Sequence, residues 1–101
     1  MSARSKYEGL LTVFLNEVKR ETDWQPQDYH GRILEVLAEE KALTPVQISA
    51  KTLVPPAVAS QATIQLLDIG ALKRWSGEDG PPDLNDVYTL SYDFEKKLAQ
   101  R

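Results

Sequence analysis

The chain has 101 residues, one histidine, no cysteine and a formal net charge of −3. Its length suits one compact domain. Hydrophobic residues make up 42% of the chain and charged residues 27%, a composition that is typical of a folded globular protein. Without cysteine there is no disulfide, thiolate nucleophile or Cys-ligated zinc, and one histidine makes no multi-histidine site, so we predict no enzyme, no cofactor and no metal.

A helix is predicted over residues 5–22, with Ser5 and Glu8 at the capping-box spacing. Apolar residues recur along it every three or four positions. The stripe is large for a small domain, so either it packs entirely on its own core or part of it faces a second copy. The candidate dimer-interface residues are Tyr7, Leu10, Leu11, Phe14 and Leu15.

The same N-terminal stretch lacks the apolar run of a secretory signal or of a membrane-spanning helix. We therefore expect a cytoplasmic protein without membrane contact. We divide the chain into residues 1–25, an N-terminal helix that is a candidate dimerisation element, and residues 26–101, a second unit.

A second helix is predicted over residues 26–40, with Pro26 in its first turn and apolar residues at 29, 33, 34 and 37 facing a core. His30 is expected to be a solvated or core residue rather than a catalyst. Trp24, in the connection before this helix, is expected in the core or at an interface.

A third helix over residues 45–52 is indicated by Thr44, Pro45 and Gln47, which combine a capping box with proline at the first helical position. Val46, Ile48 and Leu53 are available for burial. After a proline break, a fourth helix is predicted over residues 56–69, ended by a left-handed glycine at position 70.

The remaining segment predicts a strand at 71–75, a loop at 76–86, a second strand at 87–90 and a last helix at 92–100 capped by Ser91. Two short helices joined by a tight turn form a helix-turn-helix. The predicted fold is therefore mainly α with a small β-hairpin, a winged helix-turn-helix of order α-α-α-α-β-β-α. Residues 26–101 are the predicted winged helix-turn-helix domain.

Five short motifs, taken together in their order along the chain, carry a resemblance to a known family. They are Ile33-Leu34 through Leu37, Thr44-Pro45-Val46-Gln47-Ile48, Ala59-Ser60-Gln61 through Leu66, Gly70-Ala71-Leu72-Lys73-Arg74, and Leu90-Ser91. Over about residues 33–98 the chain resembles the MarR family of winged-helix regulators. The resemblance implies a homodimer joined through terminal helices, double-stranded DNA as ligand and, in many members, a small-molecule or redox signal.

The chain departs from the family pattern in two places that bear on DNA binding. Gln61 stands where the family usually has an arginine after the serine of the recognition helix. Residues 76–89 contain four acidic residues and no lysine or arginine. Residues 41–67, by contrast, contain Lys41 and Lys51 and no acidic residue, so the helix-turn-helix is neutral to weakly positive on an acidic protein.

These patterns predict a DNA-binding transcriptional regulator with residues 56–69 as its recognition helix. Ser60 and Gln61 are expected to contact base edges, since glutamine pairs well with adenine. The alternative for both is that they are ordinary solvated helix residues. The candidate DNA-binding residues are Lys51, Pro56, Ala57, Ser60, Gln61, Lys73 and Arg74.

The alternative function is a winged-helix protein–protein interaction module that does not bind DNA. Val54, Pro55 and Pro56 predict an apolar patch at the turn, and exposed apolar patches more often bind protein than phosphate. The acidic loop would suit a basic protein partner. This alternative predicts no affinity for DNA even at low salt.

Overall fold

The computed structural model describes residues 6–18, 23–75 and 86–100. Five helices and one antiparallel hairpin lie within these ranges, and the winged helix-turn-helix expected from the sequence is confirmed. The elements are α1 (Lys6–Val18), α2 (Asp28–Glu40), α3 (Pro45–Thr52), α4 (Pro56–Asp68), β1 (Leu72–Trp75), β2 (Val87–Leu90) and α5 (Tyr92–Ala99). No helix in the described ranges is long and apolar enough to cross a membrane.

Helix α1 contributes to the core that the other elements share. Leu10, Leu11 and Phe14 are at most 7% exposed, and the Phe14 ring meets the Phe94 ring of α5 edge-to-face with 5.6 Å between centroids. This burial favours the interpretation that the stripe packs on its own core. Within a single chain these three candidate interface residues are covered, so the interface prediction is left with Tyr7 and Leu15 as its partly exposed members.

The other apolar residues of α1 are partly or largely exposed at the surface of the domain. Tyr7 and Leu15 are half-buried against the core, whereas Val13 and Val18 are exposed. The predicted cap Ser5 and residues 19–22 lie outside the described ranges.

Helix α2 begins two residues later than predicted, because Gln27 is its N-cap and Pro26 lies before the helix rather than in its first turn. The backbone N–H of Gln27 donates to Nδ1 of His30 at 2.9 Å. Since Nδ1 is the acceptor, the other ring nitrogen carries the proton and donates to Oε1 of Gln65 in α4 at 2.8 Å. His30 is fully buried, so this pair of bonds ties the start of α2 to α4.

The turn between α3 and α4 reverses the expected orientation of two apolar side chains. Leu53 adopts a left-handed conformation (φ 62°) and is 86% exposed, whereas Val54 is 3% exposed. The Ser49 hydroxyl donates to the Val54 carbonyl at 2.6 Å, and Thr52 Oγ1 accepts the Val54 N–H at 3.3 Å. The predicted burial of Leu53 and exposure of Val54 are both wrong, because these bonds direct Val54 inward.

Val46, which was also expected to be available for burial, is 60% exposed. Its neighbours Pro45 and Ile48 are buried, and they lie on the opposite side of α3. The capping box of Thr44 and Gln47 that fixes the start of α3 is confirmed, with bonds of 3.3 and 3.0 Å.

The hairpin packs one face on the helices. β1 and β2 are antiparallel with Leu72 opposite Leu90 and Arg74 opposite Tyr88, and Leu43 forms an isolated bridge to Tyr88. Leu72, Tyr88 and Leu90 are buried, so this face is the core side. The predicted loop lies outside the described residues except for its last residue, position 86.

The His30 contacts predict an acid-sensitive component of stability. Burial lowers the pKa of His30 from its ordinary value of 6.5, although the bond to Gln65 opposes the shift. The unfolded chain then binds more protons than the folded chain below about pH 6.5, so this stabilisation is complete above that pH and is lost as the pH falls. We expect a slope of up to about 1.4 kcal/mol per pH unit in the free energy of unfolding.

Urea denaturation of the wild type and the His30→Gln variant between about pH 7.5 and about pH 5 measures this component. The variant is expected to be less stable at neutral pH and to have a shallower dependence on pH. Equal slopes for the two proteins would contradict the assignment to His30.

The conformation of Leu53 predicts a stabilising substitution. A left-handed conformation is costly for a residue with a Cβ, and this side chain is 86% exposed and so loses little by removal. After allowing for the greater freedom of glycine in the unfolded chain, we expect Leu53→Gly to raise the free energy of unfolding by about 0.5–1 kcal/mol. Val54→Ala, at the adjacent buried position, is expected to lower it. A destabilised Leu53→Gly protein in the same denaturation assay would refute this account of the turn.

Candidate nucleic-acid interface

The buried face of α4 fixes which of its side chains point outward. Its inward residues include small ones that allow close approach of the neighbouring helices, and they are Ala59, Ala62, Thr63 and Leu66. Ala57, Gln61 and Ile64 are exposed at spacings of four and three, and so share one side of the helix. We call these three residues the α4 stripe. It forms the exposed side of α4 between the exposed end residues Pro56 and Asp68.

Two other predicted residues lie at the edge of this surface. Pro56 is exposed at the first position of α4, and Ser60 is half-buried beside the stripe. The structure therefore brings Pro56, Ala57, Ser60 and Gln61 together on the first two turns of one helix, with Ser60 less accessible than predicted.

Lys51 lies near the end of α3, before the turn that leads into α4. Its Nζ atom is 3.7 Å from a carboxylate oxygen of Glu40, and both side chains are 44% exposed. Ion pairs this exposed contribute little to stability, so a phosphate can compete with the carboxylate for the lysine.

Arg32 is a basic residue near the turn that the sequence analysis missed. Its Nη1 donates to the carbonyl of Thr52 at the end of α3 at 3.3 Å, and its Nε is 3.2 Å from the Asp28 carboxylate. The side chain is 48% exposed. No sequence motif points to this contact, since it joins residues twenty positions apart on two helices.

Lys73 and Arg74 are both candidate DNA-binding residues, of which either one was expected on the phosphate backbone, and they point to opposite faces of the hairpin. Lys73 Nζ lies 4.2 Å from the centroid of the Trp75 ring on the outer face. Arg74 is on the core side, with its Nε 3.4 Å from the buried carboxylate of Asp86. The two residues therefore do not form one phosphate-binding group.

The carboxylate of Asp86 also affects Tyr88 on the same face. Burial raises the pKa of Tyr88, Asp86 raises it further, and Arg74 lowers it. This side of the hairpin thus holds an acidic group, a cation and a phenol in close proximity. The interaction with Asp86 reduces the positive charge that Arg74 can offer to a ligand.

The electrostatics of α3 and α4 favour an anionic ligand, although weakly. Neither helix has an acidic residue in its first turn, so the positive ends of both helix dipoles are not neutralised by carboxylates of their own. The first charge of α4 is Asp68, at its far end.

Two grooves lie away from the α4 stripe. One, of about 300 Å³, lies between α1 and α5, and its lining includes Phe14, Val18 and Lys97. The other, of about 350 Å³, lies between the end of α2, the hairpin and the start of α5, with Lys73 and Trp75 in its lining. Both are rimmed by charged side chains rather than enclosed.

No protein-family model and no curated protein sequence matches the chain. Solved structures do match its fold. A MarR family transcriptional regulator from Silicibacter pomeroyi is 24% identical, with 93% of this chain and 58% of that chain covered and a TM-score of 0.59.

Two further similar structures contain DNA. A mutant MarR from E. coli complexed with operator DNA is 18% identical over 94% of this chain and 62% of its own length, with a TM-score of 0.58. A mutant of ZitR from Lactococcus lactis in complex with DNA is 17% identical over 94% of this chain and 71% of its own, with a TM-score of 0.56. The chain spans about three fifths of the length of the first of these regulators. The chain therefore has the winged-helix fold seen in MarR-type regulators.

Proposed function

We propose that this protein is a DNA-binding transcriptional regulator that uses α4 as its recognition helix. The observation that carries the proposal is the uncharged, exposed α4 stripe on a winged helix-turn-helix whose residues 41–67 contain no acidic side chain. Solved structures with this fold include MarR and ZitR bound to DNA, which supports DNA as the ligand.

In this proposal α4 enters the major groove with its N-terminal turns against the bases. The Gln61 amide has the donor and acceptor that pair with N6 and N7 of adenine, and Ser60 lies beside it. Lys51 and Arg32 flank the turn and bind backbone phosphates, which set the position of the helix on the duplex.

The hairpin adds little to this binding. Arg74 interacts with Asp86, and Lys73 lies on the outer face over Trp75. We therefore propose that few phosphates are neutralised and that affinity depends on salt only moderately. This fits a protein with a net charge of −3.

We further propose that the protein acts as a homodimer. Because Leu10, Leu11 and Phe14 are in the core, the interface would use the exposed Val13 and Val18 of α1. Two copies would place two recognition helices on the same face of the duplex, about one helical turn apart.

One observation favours the second candidate, a protein interaction module. Leu53 is exposed at the turn next to exposed Pro55 and Pro56, so the turn presents an apolar surface although Val54 is buried. Such a surface suits a protein partner. Undetectable duplex binding at low salt would favour this candidate over DNA binding.

The DNA proposal predicts a shallow salt dependence. Fluorescence anisotropy with a random-sequence duplex should give a slope of log K against log salt of about −2 for each bound chain, and so about −4 for the dimer, since Lys51 and Arg32 are two phosphate contacts that each contribute about −0.9. Lys51→Ala should make the slope less steep by about one for each chain. Gln61→Ala should lower sequence preference, because it removes the amide that contacts a base.

Gln25→Ala is the matched control, since Gln25 is exposed and lies outside the helix-turn-helix. It should bind as the wild type does. A Gln61→Ala protein that keeps both affinity and sequence preference would remove Gln61 from the interface.

The dimer proposal predicts a two-chain mass at micromolar concentration by sedimentation equilibrium. Placing a charge at the exposed apolar surface of α1, in a Val13→Lys variant, should shift the protein to a one-chain mass without unfolding it. A wild-type protein that sediments as a monomer would refute the dimer.

A further inference from the structure

Helix α4 lacks the side chains that most often recognise guanine. Its sequence from Pro56 to Asp68 contains no lysine and no arginine. Bidentate contacts from these two residues to O6 and N7 are the commonest specific contacts to guanine in the major groove. On this helix, therefore, the main donors available for a base edge are the Gln61 amide and the Ser60 hydroxyl.

The two other members of the α4 stripe are apolar. Ala57 precedes Gln61 by one turn, and Ile64 follows it by about one turn and is 47% exposed. In the major groove the one apolar group that a base presents is the 5-methyl of thymine, and alanine is among the residues that contact it. An apolar side chain on each side of an amide matches a groove in which adenine amino groups and thymine methyls alternate.

The spacing of the stripe sets the length of DNA that it can contact. Residues 57 and 64 are seven positions apart, which corresponds to about 10 Å along a helix. That distance equals about three base-pair steps of B-DNA. The stripe is therefore long enough to contact neighbouring base pairs rather than one.

We propose that the α4 stripe selects A·T base pairs through the major groove, with the Gln61 amide on adenine and Ile64 and Ala57 on thymine methyl groups. This inference rests on the proposed DNA-binding function and names its substrate class, double-stranded DNA with a short A·T run. It also accounts for the exposure of Ile64, on a helix that has no charged residue before Asp68.

The experiment compares binding to three alternating duplexes of equal length by fluorescence anisotropy at low salt. They contain A·T pairs, G·C pairs, or hypoxanthine–cytosine pairs. A hypoxanthine–cytosine pair has the major-groove pattern of G·C but lacks the amino group that marks G·C in the minor groove. The proposal predicts about tenfold tighter binding to A·T than to either of the other two.

A fourth duplex tests the methyl contact, with uracil in place of every thymine. Loss of one buried methyl contact is expected to weaken binding about fourfold, so loss of the two contacts, to Ile64 and to Ala57, should weaken wild-type binding about fifteenfold. The Ile64→Ala variant should bind the A·T duplex more weakly and should show only about a fourfold difference between thymine and uracil, because one of its two methyl contacts has already been removed. Val46→Ala is the matched control: Val46 is an exposed β-branched residue on α3, and its variant should keep the full difference.

The outcomes separate the inference from the proposal on which it rests. If the hypoxanthine–cytosine duplex binds as tightly as A·T, the minor groove or duplex shape is recognised and the inference is overturned. Equal binding of all duplexes, or an unchanged thymine-to-uracil difference in Ile64→Ala, overturns it while DNA binding stands. If no duplex binds, the DNA-binding function itself fails and the inference fails with it.

Discussion

The orientation of α4 is the constraint on which the candidate interface depends. Ala59 and Ala62 are fully buried, and the bond between Gln65 and His30 fixes the helix to the start of α2. With that face held inward, the geometry of an α-helix leaves positions 57, 61 and 64 in solvent. The chemistry that the domain can offer a ligand thus follows from packing, since rotating α4 by one residue would bury the amide of Gln61 in an apolar core.

The charges around the candidate interface provide only weak attraction to the DNA backbone. The helix-turn-helix carries few cations, and Lys51 and Arg74 each lie beside a carboxylate. Strong non-specific affinity requires many phosphate contacts, which this surface does not supply. Binding by this domain would therefore depend more on base contacts along α4, and on two copies acting together, than on attraction to the DNA backbone.

Local signals predicted most of the fold, because they act within a few residues. The capping box of Thr44 and Gln47 and the left-handed glycine at position 70 set element boundaries to within a residue or so. The exposure of Leu53 and the burial of Val54 were not predictable in this way. They depend on the left-handed backbone at Leu53 and on the hydrogen bond from the Ser49 hydroxyl across the turn. The Arg32 contact likewise joins two helices, and no pattern along the chain encodes it.

The most direct test of the central claim is an NMR titration of the protein with a random-sequence duplex at low salt, following every backbone amide. The account predicts shifts concentrated in the turn between α3 and α4 and in the first two turns of α4, with α1 and the end of α5 unchanged. Shifts confined to other elements, or none at all, would contradict the claim that this face binds DNA.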